Sequence, residues 1–231
     1  SGATSDPRLR RAAMQTLGLA VTAAPKDAAR AVAVARPHVA SALHEHDPEK
    51  GGDDDDDATV RGWQTAYYAL LLVEKAAASC PKALSDPIPG MTGDADDGTM
   101  VPVGRFDDPD AVWSGAQALL LHRHQWVQHA AARVVGHRLA SHGSKMASAL
   151  ASGTETNGPI DLERVARCCV AVLEQGTGGG AVEVDDGLAE QTVKNLTFAT
   201  VVLLQTATNE ATREADADDD DEDDAEGGSD K

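Results

Sequence analysis

The stretch from Val112 to Leu139, VWSGAQALLLHRHQWVQHAAARVVGHRL, decides the fold of this chain. In its first part apolar residues recur at i, i+4, i+7 and i+8: Val112, Ala116, Leu119 and Leu120. In its second part they recur at i, i+3, i+4, i+7, i+8 and i+12: Val127, Ala130, Ala131, Val134, Val135 and Leu139. Each spacing places one apolar stripe along an α-helix. Because the corner 122–125 is too short to separate the two helices, the sequence predicts an antiparallel helical hairpin.

The second helix of this hairpin has a copy near the N-terminus. The matching positions share an aliphatic residue, a polar residue, Ala, an aliphatic residue and Gly at the same offsets: Leu9, Arg10, Ala13, Leu17 and Gly18 against Val127, Gln128, Ala131, Val135 and Gly136. This spacing resembles the second helix of HEAT repeats, whose helix pairs stack into an α-solenoid. A plain helical bundle is the alternative interpretation of the same pattern.

Composition limits the class of protein further. The aromatic content is only 3%, so the core must consist of Ala, Val and Leu. There is no apolar run of about 18 residues that could span a membrane. There is also no signal peptide, and the missing initiator Met suggests a fragment of a longer protein. Three cysteines, Cys80, Cys168 and Cys169, form no disulfide framework, which favours a reducing compartment.

The net charge of −18 is concentrated in two segments. Asp53–Asp57 contribute five acidic residues and Glu214–Asp230 contribute eleven. Without these two runs and Lys231, 22 acidic and 19 basic residues remain, so the rest of the chain carries about −3. A nucleic-acid-binding body usually has a net basic surface, which this one lacks.

The remaining patterns predict further helices over about 7–24, 26–45, 59–79, from 160 onward, and over 186–210. Pro37 is expected to kink or divide the second of them. We expect a repeat region over 6–210, with disordered insertions at about 47–58 and 86–108, and a disordered acidic tail over 211–231. On two of these helices the spacing predicts which residues face the core: Trp63, Tyr67, Leu70, Leu71 and Ala78 on one, and Leu188, Val193, Leu196, Thr200, Val201 and Leu204 on the other.

No residue set that could catalyse a reaction is found. The histidines lack the spacing of a zinc site, and we interpret them as solvent-facing or corner residues. Cys168 and Cys169 lie in an apolar helix as core residues, and the glycines 176–180 are not a phosphate loop. We therefore expect no enzyme activity, no metal, no cofactor and no small-molecule substrate.

Polar residues on otherwise apolar helices are the candidate partner- or RNA-binding residues: Lys75, His124, Arg133, Lys194 and Asn195. A second interpretation assigns such residues to helix solvation and to hydrogen bonds between hairpins. The sequence does not decide between these two interpretations.

Three blocks carry a resemblance to a known family: WQTAYYALLLVEK at 63–75, LLLHRHQWVQHAAARVVG at 119–136 and EQTVKNLTF at 190–198. In this order they resemble the C-terminal part of the down-regulated-in-metastasis family, a large HEAT-repeat component of the small-subunit processome. Two positions depart from the family pattern, since Pro is expected at Arg123 and Arg at Gln128. The second departure puts any contact of that basic side chain in doubt.

The resemblance implies a nucleolar scaffold, without catalysis of its own, that binds processome proteins and pre-ribosomal RNA during assembly of the small ribosomal subunit. Its solenoid would offer a long surface on which weak contacts add up. A HEAT-type adaptor or transport protein that binds basic cargo is the alternative, and it would also fit the acidic segments.

Overall fold

The computed structural model describes residues 6–48, 62–86, 108, 110–151, 160–177 and 185–220. Within them the secondary structure is helical and there is no strand, which confirms the prediction of an all-α fold. The helices are α1 (Pro7–Ala23), α2 (Pro25–His44), α3 (Trp63–Ser79), α4 (Lys82–Ser85), α5 (Asp110–Ala118), the 3-10 turn Leu119–Leu121, α6 (Gln125–Ala151), α7 (Leu162–Thr177) and α8 (Asp186–Asp220).

Aspartates begin three of these helices. The Asp6 Oδ1 atom accepts a hydrogen bond of 2.9 Å from the backbone N–H of Arg8, and Pro7 occupies the first helical position as expected. Asp161 and Asp185 do the same at the starts of α7 and α8. The sequence therefore determines these starts locally, because a short side chain satisfies a free backbone donor.

The helices contact one another in two rows. In one row α1 packs against α3, α3 against α6, and α6 against α8. In the other row α2 packs against α5, and the 3-10 turn that continues α5 packs against α7. The rows are joined because α2 packs on α1 and α3, α5 on α6, and α7 on α8.

The core lies between these rows, and the central hairpin supplies much of it. All ten apolar positions that define the two predicted stripes of 112–139 are buried: Val112, Ala116, Leu119, Leu120, Val127, Ala130, Ala131, Val134, Val135 and Leu139. That part of the sequence prediction is confirmed. Burying aliphatic side chains contributes about 1.5–3 kcal/mol for each Val or Leu.

Several helix boundaries differ from the prediction. The predicted hairpin covers 112–139, but α6 continues to Ala151. Helix α8 runs to Asp220 rather than ending near residue 210. Residues 211–220 of the predicted disordered tail are therefore helical. No proline interrupts either extension, and Glu, Ala and Arg are good helix formers. Helix α2 also continues through Pro37 without being divided.

Two inward stripes were correct only in part, since Leu70 and Leu188 are buried as expected but most other members of the two stripes are not. On α3 the buried side is Ala66, Ala69, Leu70, Val73, Ala76 and Ala77, whereas Trp63 and Tyr67 are half-buried and Ala78 is exposed. On α8 the buried side is Leu188, Thr192, Asn195, Ala199 and Val202, whereas Val193, Thr200, Val201 and Leu204 are exposed. Both helices have apolar residues on two sides, so periodicity alone could not choose between them.

The predicted insertions meet the described chain only at their edges. Asp47 was expected in a loop too polar to pack, but both it and His46 are buried. The carbonyl of Asp86 accepts a hydrogen bond of 2.7 Å from the buried Arg36 Nη1. Residues 49–61, 87–107 and 221–231, on which most of the disorder predictions fall, lie outside the described residues.

Candidate partner-binding surface

Four rings meet where α3 and α6 begin, and we call Trp63, Tyr67, His124 and Trp126 the aromatic cluster. The ring of Trp63 stacks on that of His124, with centroids 3.7 Å apart and planes 16° apart. The Trp126 ring stands edge-on to Trp63, with centroids 5.6 Å apart, and lies 6.1 Å from Tyr67. The edge-on contact of Trp126 with Trp63 is an arrangement that aromatic pairs prefer.

Local backbone contacts orient the His124 ring of the cluster and the neighbouring His122 ring. The backbone N–H of His124 donates to His122 Nδ1 at 2.9 Å, and that of Trp126 donates to His124 Nδ1 at 3.3 Å. Trp63 and Tyr67 lie one turn apart on α3, on the side that was expected to face the core. Both are half-buried and pack against the edge of the core, which periodicity alone could not reveal.

Trp126 is the exposed member of the cluster. Its side chain is 59% exposed, which is unusual for so large an apolar residue. It is therefore a surface residue and not a buried anchor between helix pairs. A rigid ring with a free face can bury a large area on a partner at a small entropic cost.

The histidines around the cluster correct a sequence interpretation. His122 lies at a corner, as one of the two interpretations expected, but it does not face solvent, because it is only 4% exposed. Burial, followed by the neighbouring His46, lowers the pKa of His122 to about 4. Burial also lowers the pKa of His46 and of His124. At neutral pH these rings are uncharged, so they add no positive charge to the surface.

Arg133 joins α6 to α3 through a two-point ion pair. Its Nε and Nη2 atoms donate to the two carboxylate oxygens of Glu74 at 2.9 and 3.0 Å. The hydrogen bonding of the Arg133 guanidinium to the Glu74 carboxylate is the main cause that raises the pKa of Arg133. Both side chains are about one-third exposed, so the pair orients the two helices more than it stabilises them.

Asn195 is a structural residue in this fold. It is 2% exposed, and its Nδ2 atom donates to the carbonyl of Ala132 at 2.9 Å. Its Oδ1 atom accepts from Gln191 Nε2 at 2.9 Å. As a candidate partner-binding residue Asn195 is therefore corrected: its polar atoms bond between α8 and α6 and do not reach the surface.

Lys75 and Lys194 lie apart from the cluster. Lys194 is exposed on α8 and its Nζ atom forms an ion pair of 2.6 Å with Glu190. Lys75 lies on the other side of α3, toward α1, where its side chain crosses Gly18. Of the five predicted residues, only His124 belongs to the aromatic cluster, and Arg133 continues the same α3–α6 boundary.

The described residues contain no group of three or more His, Cys, Asp or Glu side chains that could hold a metal ion. Cys168 and Cys169 are buried as expected. Burial, with a smaller effect of Cys168, raises the pKa of Cys169 to about 12, so that thiol is protonated at neutral pH. None of the helices described is both long and apolar enough to cross a bilayer.

Comparisons with known proteins provide no family for this chain. No protein-family model matches it, and neither does any curated protein or solved structure.

Proposed function

We propose that this chain is part of a non-catalytic scaffold of the HEAT-like α-solenoid type that acts in small ribosomal subunit biogenesis. In this function it binds processome proteins and pre-ribosomal RNA in the nucleolus, where processing of the pre-RNA takes place. The resemblance to the down-regulated-in-metastasis family supports the pathway. The packing of the helices and the aromatic cluster support the mode of action.

The two rows of helices support the solenoid. Each row advances along the chain, and helix pairs α2/α3, α5/α6 and α7/α8 connect the rows in order. An α-solenoid has this nearest-neighbour arrangement, because each helix pair buries its apolar faces against the next pair. The shared Gly pattern of α1 and α6, which lie in the same row, is consistent with a repeat.

The exposed Trp126 within the aromatic cluster is the observation that carries the binding function. Tryptophan faces stack on unpaired bases and on arginine side chains of proteins. Both partner classes occur in a pre-ribosomal particle. A fixed ring at the boundary of two helices is already ordered, so little conformational entropy is lost on binding.

The surrounding polar groups favour binding over catalysis. Glu74 and Arg133 bond to each other, and His122 is buried and uncharged. General acid–base chemistry needs a group whose pKa lies near the working pH and that reaches the substrate. His122 does not meet this requirement, because burial keeps it from a substrate and lowers its pKa to about 4.

An adaptor that binds basic cargo proteins is the second candidate, and the net charge of −18 favours it. An acidic protein attracts basic partners at long range and repels RNA phosphates. In that case Trp126 would stack on an arginine of the cargo rather than on an RNA base.

Gradient sedimentation of a tagged protein carrying this chain, with the RNA of each fraction identified, tests the proposal. The scaffold predicts migration with large particles that contain unprocessed small-subunit pre-RNA. Trp126→Ala should move the protein toward light fractions. Leu204→Ala is the matched control, because Leu204 is equally exposed, at 62%, but lies on α8 far along the row.

Two results would contradict the scaffold. A small free species that carries only basic proteins would support the adaptor instead. If both variants leave particle association unchanged, the aromatic cluster is not the contact surface.

A further inference from the structure

A groove between α1 and α3 contains none of the four residues of the aromatic cluster, although its Tyr68 ring packs edge-on against Tyr67, with centroids 5.6 Å apart. It encloses about 350 Å³ and is lined by Met14, Gln15, Thr16, Gly18, Leu19, Tyr68, Leu71, Leu72 and Lys75. Met14 and Leu72 are buried and form its floor, whereas Leu19 on its rim is 66% exposed. The volume lies in the range of sites that hold one or two large side chains.

Lys75 is the only charged residue among those that line this groove. Its Cδ and Nζ atoms lie 3.7 and 3.8 Å from the position of a Cβ on Gly18, so the side chain lies across the groove. Within the described part of the chain, Lys75 Nζ forms no hydrogen bond or ion pair. Lys75 is therefore a lone cation in a groove whose lining contains no acidic residue.

We propose that this groove binds an amphipathic helix of a partner protein, through two leucine-type side chains and one carboxylate. The apolar side chains would cover Leu19, Leu71 and Tyr68, and the carboxylate would pair with Lys75. A groove between two helices is a recurrent binding site for the apolar face of a third helix. The inference concerns a second surface and does not depend on the assignment to ribosome biogenesis.

The lining selects this occupant over two others. RNA binding relies on several cations that follow the phosphate backbone, and here only Lys75 is present. A basic peptide would meet Lys75 without any acidic partner in the lining. A glutamate next to leucines satisfies both the charge and the apolar surface.

The probe is a fluorescein-labelled helical peptide with two leucines one turn apart and a glutamate one turn further, measured by fluorescence anisotropy with the whole chain. Lys75→Met keeps the aliphatic stem and should weaken binding about 2- to 5-fold, the effect of one exposed ion pair. Leu19→Gln should weaken binding about 10-fold through lost apolar burial. Lys194→Met and Leu204→Gln are matched controls and should bind as the unchanged chain does.

A second peptide with Gln in place of Glu completes a double-mutant cycle. It should bind the unchanged chain and the Lys75→Met variant equally well, and circular dichroism should show that all variants are folded. The inference is overturned if the peptide does not bind, if Lys75→Met has the same effect on both peptides, or if Trp126→Ala abolishes binding. It is also overturned if single-stranded RNA binds in a Lys75-dependent manner, or if replacing Asp53–Asp57 by Asn tightens peptide binding, since the chain's own acidic run would then be the occupant.

Discussion

Helices α1 and α6 share a sequence pattern, but the crossing of α1 with α3 is packed differently from the crossing of α6 with α8. Gly18 and Gly136 occupy the same position of that pattern. At Gly136 an added Cβ would collide with the side-chain amides of Gln191 and Asn195. At Gly18 an added Cβ would only touch the aliphatic stem of Lys75, at 3.7 Å.

This difference shows that a glycine permits close packing but does not determine it. The side chain on the crossing helix decides whether the space is closed. A short, buried amide bonded to a backbone carbonyl closes the α6/α8 crossing, whereas a long lysine leaves a groove at the α1/α3 crossing. One crossing therefore contributes stability and the other offers a binding surface.

Lowering the pH should reduce the stability of the fold through His122, and this is the largest effect that we expect. The pKa of His122, at the corner before α6, is lowered from 6.5 to about 4, so the unfolded chain binds the proton more readily. Stability should fall as pH decreases from about 6.5 to about 4, by about 3 kcal/mol, and this residue should cause no further loss below that range.

His122→Asn is the control for this pH dependence, since its side-chain oxygen can still accept from the N–H of His124. Urea unfolding across this pH range should give a flatter profile for the variant. Parallel profiles for the two proteins would show that His122 is not the group responsible.

Removing the amide that closes the α6/α8 crossing should have the next largest effect. Asn195→Ala deletes the bond to Ala132 and leaves Gln191 without its acceptor, which should cost about 1–3 kcal/mol of unfolding free energy. Lys194→Ala, at the neighbouring exposed position, should change stability by less than about 0.5 kcal/mol. Equal losses in chemical denaturation would mean that burial of Asn195 is unimportant.

Gly136→Ala should destabilise through overpacking. A clash with two positioned amides costs about 1–3 kcal/mol, and the better helix propensity of Ala returns about 1 kcal/mol, so a net loss of up to about 2 kcal/mol is expected. The loss should be smaller in the Asn195→Ala background, because one of the two obstructing side chains is gone. If the two substitutions were strictly additive in denaturant titrations, Asn195 would not obstruct a methyl group at position 136.

Gly18→Ala should have the smallest effect and the opposite sign. The new methyl group makes only ordinary contact with Lys75, so helix propensity dominates and stability should rise by about 0.5–1 kcal/mol. The melting temperature of this variant should therefore exceed that of the unchanged chain. A decrease would show that the α1/α3 crossing is as tightly packed as the α6/α8 crossing.

The central hairpin was predictable because its information is local. The apolar spacing of 112–139 allows one buried face per helix, and every residue of that face is buried. The faces of α3 and α8 were not predictable, because each helix has an apolar stripe on two sides. Trp63 and Val193 were therefore assigned to the core although both lie at the surface or its edge.

The candidate site was predictable only in part, for the same reason. His124 was identified as a partner-binding residue, but the rings that make it part of a cluster come from α3 and from the exposed Trp126. Asn195 was identified by its polarity on an apolar helix, and only the contact with Ala132 shows that it is buried. Polarity in a sequence does not reveal whether a side chain meets solvent or a backbone carbonyl.

The sequence by itself determined that the chain is all-α, where Asp6 and Asp161 begin helices, and which face of the central hairpin is buried. These properties depend on capping and on periodicity within a few turns of one helix. Only the tertiary structure decided that the helix crossing at Gly136 is tightly packed and that the crossing at Gly18 leaves space. It also decided that His122 is buried and that Lys75 lies across an apolar groove. Those properties depend on residues that are distant in sequence, because the neighbouring helix supplies the other half of each contact.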